Sequence, residues 1–96
     1  MAGTQYFGTG RLGTHQNVAY TGTAGTIANA ISAGVYKVRV VATTACYVAI
    51  GSSPTATTSS AYLPADSPEY FTCNPGEKVS AVQLSAAGTL HVTEIG

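Results

Sequence analysis

The chain has 96 residues, of which 8% are charged, and its formal net charge at neutral pH is zero. A typical soluble domain has about 25% charged residues, so this chain has little charge with which to attract nucleic acid or to keep its own copies apart. Its length is that of one domain, and its composition predicts a small domain whose surface is partly covered by other protein.

The first third of the chain, residues 1–34, is rich in Gly, Thr, Ala and Ser and has Arg11 as its one charged residue. Such a segment makes few contacts per residue and has much conformational entropy to lose. It predicts either an extended Gly/Thr-rich N-terminal arm that a partner orders or weak strands at 16–21 and 26–31, the second of which also fits one or two helical turns. In the arm interpretation, residues 2–20 contact a neighbouring subunit more than their own domain.

A strong β pattern begins after residue 34, and we expect residues 35–96 to form the core of the domain. Residues 35–42 alternate, with Tyr36, Val38, Val40 and Ala42 on one face and Lys37 and Arg39 on the other. The Thr43-Thr44 pair predicts a tight turn, so residues 35–42 and 45–50 are expected to pair as a hairpin.

The remaining strands are short and are separated by turns. Residues 51–60 predict a polar loop, and Asn74-Pro-Gly-Glu predicts a turn in which Pro75 presets φ and Gly76 supplies a positive φ. The strands expected after residue 60 are 61–63, 69–73, 78–84 and 89–95. Strands of this length and spacing indicate a sandwich or a barrel. The residues expected to be buried between two sheets are Val38, Val40, Cys46, Val48, Ile50, Phe71, Val82, Leu90 and Val92.

The sequence contains no sign of a membrane or secretory segment. Residues 1–8 lack a basic region followed by an apolar run, and no stretch approaches the roughly 18 apolar residues of a spanning helix. We therefore expect no membrane partner. Cys46 and Cys73 can form one disulfide, but in the absence of a signal we expect them to be reduced and packed as small apolar side chains.

Several patterns resemble catalytic or ligand sites, but each lacks its required context. Residues 8–13 match GxGxxG, which binds phosphate only between a strand and a helix. His15 and His91 with Cys46 and Cys73 compose a zinc set on paper, yet no two of them have the close spacing of zinc ligands. His91 with Asp66 or Glu94 suggests a triad, but His91 lies among threonines in a predicted strand. We assign no catalytic, cofactor-binding or metal residues.

Nucleic acid and carbohydrate are two further classes of ligand for a small β domain. The basic residues are too few to form a stripe along nucleic acid, since the chain has Arg11, Lys37, Arg39 and Lys78 and an equal number of acids. Tyr36 and Tyr47 can stack on bases but are more often core or interface residues. We expect no nucleic acid partner. Carbohydrate binding by a small β-sandwich stays open.

The region from residue 34 to 96 contains the segments Val35-Tyr-Lys-Val-Arg-Val-Val-Ala-Thr-Thr-Ala-Cys-Tyr-Val-Ala-Ile-Gly, Ser53-Pro-Thr-Ala-Thr, Tyr62-Leu-Pro-Ala, Glu69-Tyr-Phe and Asn74-Pro-Gly-Glu-Lys-Val-Ser-Ala-Val-Gln. In these segments the chain resembles a family of small virion structural proteins of tailed bacteriophages that includes capsid decoration (cement) proteins. The resemblance covers about two thirds of the chain and includes no catalytic motif. The glycine-rich first third departs from it.

The resemblance implies a single jelly-roll-like β-sandwich that acts in the virion without catalysis and is assembled in the host cytoplasm. The first role that it implies is capsid decoration, which stabilises the head shell. The implied partners are the major capsid protein and copies of the chain itself, as a homodimer or homotrimer. A tail or head-fibre component is the alternative, and a carbohydrate-binding module is the third possibility.

Overall fold

The structure, a computed structural model, describes residues 12–95, which form eight β-strands and no helix. The strands are β1 (Leu12–Tyr20), β2 (Gly25–Thr26), β3 (Lys37–Ala42), β4 (Cys46–Gly51), β5 (Ala61–Leu63), β6 (Glu69–Thr72), β7 (Lys78–Gln83) and β8 (Gly88–Ile95). They form two four-stranded sheets, sheet A in the order β1-β8-β3-β6 and sheet B in the order β2-β7-β4-β5. All pairs between these strands are antiparallel. The expected all-β fold class is confirmed.

A single apolar layer lies between the two sheets, as in a β-sandwich. Sheet A contributes Val38, Val40, Ala42, Leu90 and Val92, and sheet B contributes Cys46, Val48, Leu63, Val79 and Ala81. These residues alternate with others along each strand, because successive side chains of a strand point to opposite faces of its sheet. Alternation therefore determines which side of each strand faces the core.

Most of the residues expected in the core are in it. Val38, Val40, Cys46, Val48, Leu90 and Val92 are buried there, and Ile50 and Phe71 are partly buried against it. Val82 is also buried, but it alternates with Val79 and Ala81 of the core, so it lies on the outer face of sheet B. On that face the N–H of Ala56 donates to Oγ of Ser80 at 3.0 Å, which holds the loop between β4 and β5 over the strand.

The predicted hairpin between residues 35–42 and 45–50 is wrong. β3 pairs with β6 and β8 in sheet A, whereas β4 pairs with β5 and β7 in sheet B. The link at Thr43 and Thr44 takes the chain from one sheet to the other, so the apolar faces of β3 and β4 share the core without lying side by side. Alternation indicates the buried face of a strand but not its neighbour.

The described part of the N-terminal segment belongs to the sheets. β1 pairs with β8 from Leu12 to Tyr20, with a register shift between Leu12 and His15. Tyr20, Ile27 and Ile31 are buried in the common core. Of the two alternatives for this segment, residues 12–20 follow the strand alternative and not the arm, because their backbone pairs with β8 within the domain. The part of the arm expectation that concerns residues 2–11 lies outside the described residues.

The second strand expected in this segment, 26–31, is much shorter than predicted. β2 has two residues and pairs with β7. Beyond it the chain is irregular but fixed, since the N–H of Ile27 donates to the carbonyl of Val79 at 3.0 Å and that of Ile31 to Glu77 at 2.8 Å. Burial of the two isoleucines therefore positions the segment without a regular element.

The hydroxyl of Tyr20 connects three parts of the chain. The Tyr20 side chain is 1% exposed, and its hydroxyl donates to the carbonyl of Thr44 at 2.6 Å and accepts from the Thr44 N–H at 3.2 Å. Gly88 starts β8 beside this group, where a Cβ would lie 2.6 Å from the Tyr20 hydroxyl. The hydroxyl thus ties the end of β1 to the turn between the sheets, and the start of β8 packs close against it.

Replacing this hydroxyl should weaken the whole domain. We expect Tyr20→Phe to lower the free energy of unfolding by about 1–3 kcal/mol, because Thr44 loses partners for both its N–H and its carbonyl in a partly buried place. Urea unfolding followed by circular dichroism measures the change. The control is Tyr36→Phe, since Tyr36 is 60% exposed and its variant should match the wild type. Equal stability of the two variants would contradict the role given to Tyr20.

Candidate interaction surfaces

Polar and basic side chains from three strands meet on the outer face of sheet A. Thr93 of β8 pairs with His15 of β1 on one side and with Arg39 of β3 on the other. The imidazole rings of His15 and His91 stack with centroids 5.6 Å apart and planes 17° apart, and Nδ1 of His15 lies 2.7 Å from Oγ1 of Thr93. Lys37 shares the face with Arg39, because both alternate with buried valines. We call His15, Lys37, Arg39 and His91 the cationic face.

The described strands of sheet A place no carboxylate on the cationic face. Their two acids, Glu69 and Glu94, pair with Val40 and Val38, so both lie on the opposite side. Within residues 12–95, no hydrogen bond or ion pair reaches the guanidinium of Arg39. Arg39 therefore contributes a fixed positive charge to this face without an anionic partner among the described residues.

Glu94 is a buried carboxylate with a structural role. It is 5% exposed, and its Oε2 accepts from both the N–H and the hydroxyl of Ser32 at 2.9 Å each. Two hydrogen bonds to one charged oxygen are stronger than neutral ones. They join the irregular segment between β2 and β3 to the last strand of sheet A.

Two exposed carboxylates lie three positions apart in the chain, where it passes from β5 to β6. Asp66, in the link from β5 to β6, and Glu69, the first residue of β6, are both exposed. Asp66 has a φ of 56°, and its N–H donates to the carbonyl of Ala42 at 2.8 Å, which fixes the link to the end of β3. We call these two residues the acidic flank. It lies beside β5 and β6, which are the edge strands of the two sheets.

An aromatic pair occupies the outer face of sheet B. Tyr47 and Tyr62 pair across β4 and β5, with ring centroids 6.1 Å apart and an interplanar angle of 65°. Val82 pairs with Tyr47 on its other side. Tyr62 is 55% exposed and Leu84, just past β7, is 47% exposed. This surface is apolar with two phenol hydroxyls, a combination suited to protein or sugar contacts.

The cysteine and histidine set suggested by the sequence is not assembled. Cys46 and Cys73 are free and buried in the core, whereas the two histidines stack on the outer face of sheet A. Burial raises the pKa of both thiols, and Glu77 and Glu94 raise that of Cys73 further. In the part of the chain that is described, no three His, Cys, Asp or Glu residues are grouped to hold a metal ion. The expectation of unbonded, core-packed cysteines is confirmed.

Where the structure describes them, the residues of the other suggested sites lack the arrangement that those sites require. The carboxylate of Glu94 lies on the inner face of sheet A, whereas the ring of His91 lies on the outer face. Glu94 therefore cannot orient His91 in a catalytic triad. Of the GxGxxG match at 8–13, only Leu12 and Gly13 are described, and they begin a strand rather than a helix. No helix among residues 12–95 is long and apolar enough to cross a membrane.

Sequence reasoning missed the stacked histidines because they are separated by 76 positions and meet only through the pairing of β1 with β8. The available signal was the polar alternation of Thr89, His91 and Thr93, together with His15 and Asn17 in the earlier strand. Comparisons of the chain with family models, curated proteins and solved structures found no match.

Removal of the buried carboxylate should destabilise the fold. We expect Glu94→Ala to lower the free energy of unfolding by about 1–3 kcal/mol, because the two Ser32 donors lose their acceptor. Glu94→Gln should cost less, since its amide oxygen can still accept both bonds. Chemical denaturation compares the two with Glu69→Ala, an exposed control expected to resemble the wild type. An Ala variant as stable as this control would contradict the role of Glu94.

The buried thiols should be protected until the protein unfolds. At pH 8 we expect a disulfide reagent such as Ellman's reagent to label Cys46 and Cys73 at least tenfold more slowly in buffer than in denaturant, because burial hinders both access and thiolate formation. A raised pKa means that the folded state holds the proton more tightly than the unfolded chain does. The stability linked to these thiols is therefore complete below about pH 8.5, the ordinary thiol pKa, and falls as the pH rises above it. Equal labelling in both conditions would refute the assignment.

Proposed function

We propose that the chain is a non-enzymatic structural protein of a tailed-bacteriophage virion and, more specifically, a capsid decoration protein that stabilises the head shell. The residue-level resemblance from residue 34 to 96 provides the connection to virion proteins. The observation that carries the proposal is the arrangement of the strands. Because a fold alone does not determine a function, the composition of the surface has to support the same proposal.

The strand arrangement supports a jelly-roll sandwich. A jelly roll has eight strands in two sheets and occurs in viral capsid and lectin domains. Here eight strands form sheets in the orders β1-β8-β3-β6 and β2-β7-β4-β5. The chain changes sheet at every link except that from β4 to β5, so neighbours in a sheet come from distant parts of the sequence.

The surface composition supports a role in packing. Only eight residues carry a formal charge, and one of the carboxylates, Glu94, is buried. A contact made by such a surface desolvates few charges, which is the costly step in forming an interface. Weak contacts of single subunits with the shell and with each other become strong attachment when several are linked. The proposed partners are the major capsid protein and copies of this chain.

Copy number separates capsid decoration from the tail or head-fibre alternative. Quantitative mass spectrometry of purified virions should find hundreds of copies per particle if the protein coats the shell. A few to tens of copies would favour a tail or fibre component instead.

The exposed tyrosines are the observation that supports the third possibility, a carbohydrate-binding module. Aromatic rings presented to solvent, as at Tyr62, are suited to the apolar faces of sugars. A glycan array with the purified protein tests this, with Tyr62→Ala as the variant and Tyr36→Ala as the exposed control. Binding that is lost in the first variant and kept in the second would support the module over a packing role.

Loss of the protein should make the particle less stable to heat. A protein that bridges capsomers must detach before they separate, so its contact energy adds to the barrier at each symmetry-related position. A contact of about 1,000 Å² is enough to be specific. We expect phage without this protein to release DNA at a lower temperature than the wild type while injecting DNA normally, as measured by thermal DNA-release curves and plating. Equal release temperatures with lost infectivity would reject decoration in favour of the tail or fibre alternative.

A further inference from the structure

We propose that the cationic face of one copy of the chain binds the acidic flank of a second copy. The inference rests on the proposed function, in which many copies meet one another on a shell, and it adds which surfaces meet. Its central pair is Arg39 of one copy with Glu69 of the next, with Asp66 beside it.

Unpaired fixed charges are the first observation behind this contact. Among the described residues, no hydrogen bond or ion pair reaches the Arg39 guanidinium or the carboxylates of Asp66 and Glu69. Other carboxylates are already used, since Glu94 binds Ser32 and Glu77 accepts from the N–H of Asn74 at 2.7 Å. The chain has no net charge. The unpaired positive charge of Arg39 on one surface is therefore matched by unpaired negative charges, those of Asp66 and Glu69, on another.

The two surfaces face different directions on one molecule. Arg39 lies on the outer side of sheet A, whereas Glu69 pairs with Val40 and so lies on the other side of the sheet, at its β6 edge. Arg39 and Glu69 of the same chain therefore do not pair in the structure. A contact that joins two different surfaces of identical subunits is head-to-tail, and it closes into a ring when the rotation between neighbours allows.

The composition of the cationic face favours a protein carboxylate over nucleic acid. Its fixed positive charges are Arg39 and Lys37, and affinity for nucleic acid grows with the number of phosphates that a surface neutralises. Beside Arg39 the outer face of sheet A presents neutral hydrogen-bonding groups, such as the hydroxyl of Tyr70, which pairs with Arg39 across β3 and β6, and these suit a single carboxylate better than a row of phosphates. Because the chain itself provides exposed carboxylates, the second copy is the partner to which we commit.

Charge reversal tests the contact directly. Sedimentation of the purified full-length chain at 50 mM salt should detect an oligomer, and raising the salt to 500 mM should weaken it several-fold by screening. Arg39→Glu and Glu69→Arg should each weaken self-association about tenfold or more, because each puts like charges together. The double variant Arg39→Glu/Glu69→Arg restores opposite charges and the original net charge, so it should associate nearly as the wild type does.

Lys78→Glu is the matched control, since it changes the net charge by the same amount as Arg39→Glu but lies on β7 of sheet B. It should leave association within about twofold of the wild type. Thermal melts identify any variant that fails to fold, and in that case Arg39→Gln replaces Arg39→Glu, with a smaller loss expected. A wild-type monomer, equal effects of Arg39→Glu and Lys78→Glu, or a double variant no better than the singles would each overturn the inference.

The attachment of each variant to shells lacking this protein is measured separately. If charge reversal leaves association unchanged while the wild type still coats shells, the inference fails and the proposed function stands. If reversal and rescue behave as expected but no form binds shells, the contact between copies stands and decoration fails.

Discussion

The apolar layer between the two sheets is the constraint on which the rest of the structure depends. It is built largely from small and β-branched side chains, with valines from four strands and alanine and cysteine among them. Each of these side chains buries little area, so the apolar layer is thin. It stabilises the fold only while the strands of each sheet keep the register that turns these side chains inward. Among the described residues, Tyr20 is the aromatic residue fully buried in it, and burial raises the pKa of its phenol. Its hydroxyl needs partners there, which Thr44 provides at the turn between the sheets.

Close packing around this layer also explains two glycines. Gly88 lies where the hydroxyls of Tyr20, Thr43 and Thr44 converge, so a Cβ would displace the group that holds the turn. Gly25 lies against the carbonyl of Ala19, which lets β2 approach the end of β1 where the chain leaves sheet A for sheet B. At both positions a strand passes so close to neighbouring atoms that a Cβ would clash with them.

The sequence predicted those features of the fold that depend on local alternation. Val38, Val40, Leu90 and Val92 alternate with polar residues, and the faces and approximate bounds of their strands followed from that pattern. The strands that neighbour β3 did not follow from the pattern, because β3 pairs with β8, which lies about fifty residues later in the chain. The N-terminal strand was ambiguous for the same reason, since its few apolar residues become a core face only when β8 is beside it.

The candidate surfaces were harder to predict than the core. The stacking of His15 on His91 and the separation of Arg39 from Glu69 both depend on register across strands, and neither has a local signature. Moving one strand by one residue would exchange its inner and outer side chains. Because the chain has so few charges, such a shift of one strand would change which surface carries each of them. In this structure the register keeps Glu94 inside, bound to Ser32, and leaves Arg39 and Glu69 on different surfaces.

A small domain with a thin core gains particular advantage from contacts with other subunits. A chain of this size buries roughly 60–65% of the surface that it exposes when unfolded, so its own core leaves a modest margin of stability. Any partner that binds the folded state alone adds to that margin by mass action. A contact between unpaired charges of neighbouring copies would act in this way. The sparse charge, which gives copies of the chain little mutual repulsion, would then also determine where those copies meet.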